Sequence, residues 1–327
     1  MEELWSYTWE NCLFVPPAEA PVMISDLHPK DQAKGLEMVF ERFNCPATYF
    51  ARSPVLSAFS AGRKTALVVE VGASSARASP VVDGYVLNRG VQRSCKAGDW
   101  LDQQALSILQ KQNIEIHPAF CLGKRQSPCR NEKALITGPG SAHSSYVTFK
   151  RGEIVKDIKA SVCAVPEEPL EEQEILSEMP EQEYELPDGT VVKVTLDLFL
   201  LPERLVQVKP ALSDAKSTEE LALPKLAHKA LESSDADARK EMANNIVFCG
   251  GSSLFDGMAE RLNYELTQIL PTSFRVRVIN PSPVEKRFSA WIGGSILCSL
   301  GSFQQLWLSK KEYEEKGFQI AEERFEY

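Results

Sequence analysis

Apolar positions recur with two periods along this chain, and the switching between them predicts alternating helices and strands. Trp5, Trp9, Cys12 and Leu13 fall at helical spacing behind the acidic first-turn residues Glu2 and Glu3, and Pro16 and Pro17 stop the run. A short extended piece at 21–24 leads to a second helix over 30–43, with Leu36, Val39, Phe40 and Phe43 on one face. Tyr49, Phe50 and Ala51 have strand character. Ser53 and Pro54 read as a cap followed by proline at the first helical position, with Gly62 as the stop.

Residues 64–71 form a nearly continuous β-prone run, broken by the small residues Gly72, Ala73, Ser74 and Ser75 before a second strand over 76–82. Asp83 and Gly84 turn that strand into Tyr85, Val86 and Leu87, completing a meander. Amphipathic helices are expected over 100–112 and 153–165, with an aperiodic Gly/Ser/Pro-rich stretch between them. An acidic stretch at 166–185 reads as a solvated loop, followed by a Pro187-Asp188-Gly189 turn and a strand over 191–196. Residues 213–241 are polar and helix-prone. A buried-type strand at 245–249 enters the tight loop Gly250-Gly251-Ser252-Ser253. Beyond it come a helix over 255–270 with Met258, Leu262, Leu266 and Ile269 in one stripe, a strand over 275–279, and a last helical region after Pro281 and Pro283. Strands alternating with helices give an α/β class.

At 327 residues the chain exceeds what one hydrophobic core usually serves, so two lobes are expected. A formal net charge of -9 offers no broad positive field for phosphate backbones, so sequence-specific DNA binding is not expected, while basic segments such as histone tails are tolerated. The eight cysteines include no Cys-x-x-Cys pair, and neither Cys121 nor Cys129 has a histidine at metal-ligand spacing, so they read as reduced thiols. The N-terminus is acidic and no apolar run is long enough to span a bilayer, so neither a secreted nor a membrane chain is expected.

Two loops could carry chemistry. A bend of small residues such as 72–75 can aim backbone N–H groups at a phosphate, although a plain hairpin turn is the commoner use of such a stretch. The loop 250–253 joins a strand to a helix, where free N–H groups and a positive dipole end attract an anion; an ordinary connection fits equally well. No Gly-Lys-Ser/Thr follows either loop. His28, His117, His143 and His228 have no spaced catalytic partners and read as surface or structural residues.

Taken together these segments resemble the actin family. GGSSLFDG at 250–257, followed by MAERL, is similar to that family's third nucleotide loop and its helix. VEKRFSAWIGGSILCSLGSFQQLWLSKKEYEE, 284–315, is a long and specific match to the actin C-terminal region. GEIVKDIKASVCAV, 152–165, resembles the helix lining the adenine pocket, and MEELWSYTWENCL an actin helix inside the first subdomain. DGYVLNRGVQRSCKAGDWL, 83–101, and the Arg-Phe of VEKRFSAW place the chain nearest the nuclear actin-related protein 4 class.

The resemblance implies an actin-like fold, two ribonuclease-H-like lobes around a nucleotide cleft, with the first lobe incomplete. Subdomain 1 would take 1–60 and 289–327 in part, subdomain 3 would take 61–96 and 219–288, and subdomain 4 would take 97–218; subdomain 2 would be absent. It implies ATP with Mg²⁺ or Ca²⁺ as cofactor. Gly72, Ala73 and Ser74 would face the phosphates, and Gly250, Gly251, Ser252, Leu254 and Phe255 would border phosphate and adenine. Gly98, Lys156, Lys159 and Arg287 would surround ribose and base.

Three departures weaken that site. Glu70 stands at the metal-side position where the family has aspartate, one methylene longer than Mg²⁺ geometry favours. Ala73 and Ser74 replace aspartate and glycine, and Ala160 replaces a glutamate that meets the nucleotide. Ser53 aligns with the glutamine that positions the attacking water, and its side chain is too short for that role. The match also begins about a fifth of the way into an actin, so the first phosphate hairpin has no counterpart here; whether the sequence is a piece or a partner covers that face stays open.

In function, the resemblance implies a non-hydrolysing nuclear subunit of a chromatin remodelling or histone acetyltransferase assembly, concerned with transcription or DNA repair. It would pair with actin and grip a long scaffold helix through an apolar cleft holding Phe59, Leu297, Leu300, Phe303 and Leu306, with direct histone contact left open. The rival readings are a filament-forming cytoskeletal actin and an ATPase or sugar kinase of the same duplicated fold.

Overall fold

The structure is a computed structural model that describes residues 1–26, 29–123, 134–169, 182–207 and 221–325. In chain order its elements are α1 (Glu2–Tyr7), β1 (Val22–Ser25), α2 (Pro29–Glu37), β2 (Ala47–Ala51), α3 (Ser53–Ser60), β3 (Ala66–Val71), β4 (Ala76–Val82), β5 (Tyr85–Val86) and β6 (Gln92–Ser94). Then come α4 (Gly98–Lys111), α5 (Ser144–Val162), β7 (Glu183–Glu185), β8 (Val191–Lys193), α6 (Leu196–Phe199), α7 (Glu203–Val206), α8 (Leu223–Glu232) and α9 (Ala236–Ala243). The chain continues through β9 (Ile246–Cys249), α10 (Met258–Ile269), β10 (Val278–Ile279), α11 (Pro283–Ser299), β11 (Leu308–Ser309), α12 (Lys310–Lys316) and α13 (Ile320–Phe325). α1 and α2 each run on into a π-helical turn, at Thr8–Leu13 and Met38–Arg42.

Two principal sheets result. The smaller has the order β1-β2-β11, with β1 parallel to β2 across the α2 crossover and β11 antiparallel. The larger has the order β10-β9-β3-β4-β5, with β6 also on β4; β3 lies parallel to β9 and antiparallel to β4. β7 and β8 form a separate hairpin.

β3 reads as an apolar run interrupted only by Glu70 because both faces of its sheet are covered. Leu67, Val69 and Val71 join the main core with residues of α4, α5, α8 and α10. Ala66 and Val68 face the other way, onto a smaller cluster with Ala58 of α3. Around the three-stranded sheet a third cluster gathers Leu36, Phe40, Phe50, Leu308, Tyr313 and Phe325. α3 and α11 cross between the sheets at van der Waals limit: a Cβ on Gly293 would lie 1.8 Å from the carbonyl oxygen of Leu56. Beside it the hydroxyls of Ser57 and Ser289 are 3.0 Å apart, and the Cys298 and Met23 sulfurs 3.9 Å.

Several expectations shift. The 153–165 helix begins at Ser144, where the His143 ring accepts from the Ser145 N–H. The 191–196 strand is only Val191–Lys193 and gives way to α6; the 275–279 strand is only Val278–Ile279. Part of the acidic stretch, at 170–181, and part of the polar stretch, at 208–220, lie outside the described residues, as do His28 and Cys129. Among the described residues no helix is long and apolar enough to cross a membrane.

Candidate functional site

The two small-residue loops meet. β3 and β9 are parallel neighbours, so the turns that follow them, 72–75 and 250–253, emerge at the same edge. Gly250 has φ +98°, and a Cβ there would lie 2.4 Å from the Val71 carbonyl oxygen, a distance only glycine tolerates. The Ser252 hydroxyl donates to the Gly72 carbonyl at 3.2 Å, and the Gly98 N–H donates to the same oxygen at 3.0 Å. Gly72, Gly98 and Ser252, expected around a nucleotide, are thus brought together.

Several of the backbone donors around them are already engaged. Gly72 N–H donates to Ser75, Asp99 N–H to the Ala73 carbonyl, and Gly250 N–H to the Lys286 carbonyl. The loop at 250–253 also does not open a long helix, as its spacing suggested. It forms a single 3-10 turn over Gly251–Leu254, and α10 starts only at Met258 behind Gly257, so its positive dipole end lies beyond the loop. Gly251 itself is exposed, with open space where a Cβ would stand; Ala73 and Ser74 sit exposed at the other loop's tip. Leu254 and Phe255 are half-buried, Phe255 against the main core.

The lysines part company. Lys159 is buried, its ammonium donating to the Gly98 carbonyl at 2.8 Å and pairing with Asp102 at 2.5 Å, which ties α5 to the start of α4. Lys156, one turn earlier, faces solvent, as does Ala160. Arg287 is exposed over the Phe288 ring and lines a cavity of about 570 Å³ with Glu70, Gly250, Met23, Leu56 and Trp291. Its neighbour Lys286, which the sequence reading passed over, is the buried one, donating to the Ser253 carbonyl at 3.2 Å, and burial pulls its pKa down.

The centre of the site is a charge cluster built on Glu70. Antiparallel register sets Arg77 of β4 directly opposite Glu70 of β3. Arg77 Nη2 lies 2.9 Å from Glu70 Oε2, 2.6 Å from Asp26 Oδ2 and 3.1 Å from Ser53 Oγ. Ser53 is not the helix cap its spacing predicted: Arg52 takes the cap position, and the Ser53 N–H donates to Asp26 Oδ1 at 3.0 Å. The Ser53 hydroxyl is 2.8 Å from Asp26 Oδ2 and 3.1 Å from each Glu70 oxygen. Glu70, expected at the metal side, therefore has its carboxylate occupied by protein donors. Among the described residues no set of three or more His, Cys, Asp and Glu side chains is placed to hold a metal.

The cluster moves its members' pKa values apart. Burial pushes Glu70 above the ordinary glutamate value, with the Asp26 charge adding to the rise and Arg77 opposing it. Burial also raises Asp26, but the Arg77 and Ser53 bonds outweigh it and hold that carboxyl below the usual aspartate value. Burial pushes the Cys163 and Cys249 thiols up to about 12, so neither is a reactive thiolate. Asp26 and Arg77 were missed in the sequence; the one signal was a charge inside the otherwise small and apolar β4.

The expected apolar cleft divides as well. Phe303 is 1% exposed, its ring edge-on to Tyr49 and Trp307 at 5.0 and 5.1 Å, so it belongs to the interior and not to a docking surface. Leu300 and Leu306 are exposed, while Phe59 and Leu297 are half-buried, Phe59 beside the Gly84 turn.

A family model described as actin matches residues 1–326. The chain is 36% identical over 330 residues to "Actin-related protein 4" of Arabidopsis thaliana, covering 97% of this chain and 74% of that protein. It is 34% identical to the protein of that name in Yarrowia lipolytica, covering 99% and 77%, and 30% identical to that of Schizosaccharomyces pombe, covering 96% and 78%.

Proposed function

The chain belongs to the actin family, and from that premise we propose that it is a non-hydrolysing nuclear actin-related subunit of a chromatin remodelling or histone acetyltransferase assembly, pairing with actin on a scaffold helix. Support for the absence of hydrolysis comes from one observation, the engagement of Ser53. Phosphoryl transfer to water depends on a side chain that aims the nucleophile in line with the leaving group. At this position a short hydroxyl is held between two carboxylates and a guanidinium. Glu70 and Asp26 are poor candidates for a base that would take the water's proton, since Arg77 engages both.

Support for the nuclear class comes from likeness to relatives named actin-related protein 4 and from the 83–101 segment. In this reading any bound ATP, with Mg²⁺ or Ca²⁺, is structural. Gly72, Gly98 and Ser252 would shape its pocket, and exposed Leu300 and Leu306 would offer apolar contacts to a partner helix.

The test has two arms. Purified chain given MgATP is expected to release phosphate no faster than a protein-free blank, and a rate comparable to conventional actin overturns the non-hydrolysing part. Affinity purification from nuclei is expected to bring down actin together with a remodeller or acetyltransferase scaffold subunit. Recovery of neither, or sedimentation as filaments in polymerising salt, overturns the assembly part.

A further inference from the structure

We propose that Arg77 is a built-in cation that seats the two sheets against each other, making that junction independent of divalent metal. Asp26 follows β1 in the three-stranded sheet, whereas Glu70 and Arg77 belong to the larger one. One guanidinium nitrogen therefore bridges the sheets, with oxygens of Asp26, Glu70 and Ser53 at 2.6, 2.9 and 3.1 Å. Oxygens drawn from two carboxylates and a hydroxyl are also the ligand chemistry that a hard divalent cation takes.

Electrostatics make the arginine necessary. The Asp26 and Glu70 side chains are 31% and 19% exposed and share contact with one serine hydroxyl, so without a positive charge between them they repel across the junction. A cation carried on the chain has full occupancy whatever the metal concentration. The claim is separate from the chromatin reading and stands or falls without it.

Thermal unfolding of the purified chain in EDTA and in millimolar CaCl₂ tests it. The unsubstituted chain is expected to unfold at the same temperature in both. Arg77→Ala is expected to unfold at a lower temperature in EDTA and to recover by about 2–4 °C or more in calcium, as a cation enters the vacated dicarboxylate. Adding Asp26→Asn to Arg77→Ala is expected to abolish that recovery, and Arg77→Lys to remain insensitive to calcium. Tryptophan-sensitised terbium luminescence gives a second readout, rising with Arg77→Ala and falling back in the double variant. A calcium-dependent midpoint in the unsubstituted chain overturns the proposal, as does an Arg77→Ala variant that behaves alike in EDTA and calcium. If Arg77→Ala folds in neither, the decision rests on the unsubstituted chain and Arg77→Lys, where any calcium response overturns it and none upholds it.

Discussion

Asp26 and Glu70 share one arginine yet answer to pH with opposite signs. Asp26 is held below its unfolded value, so its contribution is fully present above the ordinary aspartate range and is lost as pH falls through the folded value. Glu70 is raised, chiefly by burial, so its preference for the protonated form favours folding at low pH and is lost as pH rises through its folded value. At pH 7 both are ionised on the unfolded chain, and neutralising them should therefore act differently. Asp26→Asn is expected to lower the melting temperature at pH 7 and to flatten its fall below about pH 4. Glu70→Gln, which retains one acceptor oxygen while removing a buried charge, is expected to change it much less. Melting temperatures between pH 3 and pH 7 decide the matter, and a larger loss for Glu70→Gln than for Asp26→Asn would contradict the assignment. Only part of the cluster was legible in the sequence: Glu70 and Ser53 stood out, Asp26 and Arg77 did not. Arg77 and Asp26 are 51 residues apart, and nothing in local spacing links them. The expectation that Ser53 caps a helix followed sound local chemistry, yet a long-range carboxylate competed for its hydroxyl.

Among elements, what the sequence revealed depended on how much of each signal is local. Amphipathic stripes fixed α4 and α10 within a few residues, because burial of one face selects a 3.6-residue period wherever the partner lies. β3 and β9 showed as apolar runs for the complementary reason, both faces being covered. The short strands β8 and β10 blurred into their flanks, since two or three residues carry no period. The loop at 250–253 was located correctly but its local form was not, because a 3-10 turn and a proper helix start look alike in composition. The crossing of α3 and α11 also escaped, although Gly293 and Gly294 stand in plain view. Their role is close approach: the Leu56 carbonyl occupies the place of a Gly293 side chain. Gly293→Ala must push α11 off α3, and overpacking of this kind costs about 1–3 kcal/mol. Gly301→Ala, where a Cβ meets open space, serves as the control and is expected to be near neutral in urea denaturation. Equal effects from the two would mean the helices are not locked at this point.

For the molecule as a whole, the question is what joins chain segments far apart in sequence into one main core. Apolar contact supplies most of it, but Arg261 of α10 is 3% exposed at its side chain and must be neutralised. Glu203 of α7 at 3.0 Å and Glu265 at 2.9 Å do so, and the Pro166 carbonyl accepts a further bond at 3.3 Å. One guanidinium thus links the segment after α5, the α6–α7 segment and α10, which are separated by up to 95 residues. Such a triad specifies how the segments dock more than it adds stability, because desolvating three charges offsets much of their attraction. That argument separates two kinds of variant. Arg261→Ala leaves two buried carboxylates facing each other and is expected to cost about 3–5 kcal/mol in urea denaturation. Arg261→Met combined with Glu203→Gln and Glu265→Gln removes every charge at similar volume and is expected to lose clearly less, despite carrying three substitutions. If the triple variant were as damaged as Arg261→Ala, the ion triad would be a net source of stability, and the apolar core alone would be too weak to hold these segments together.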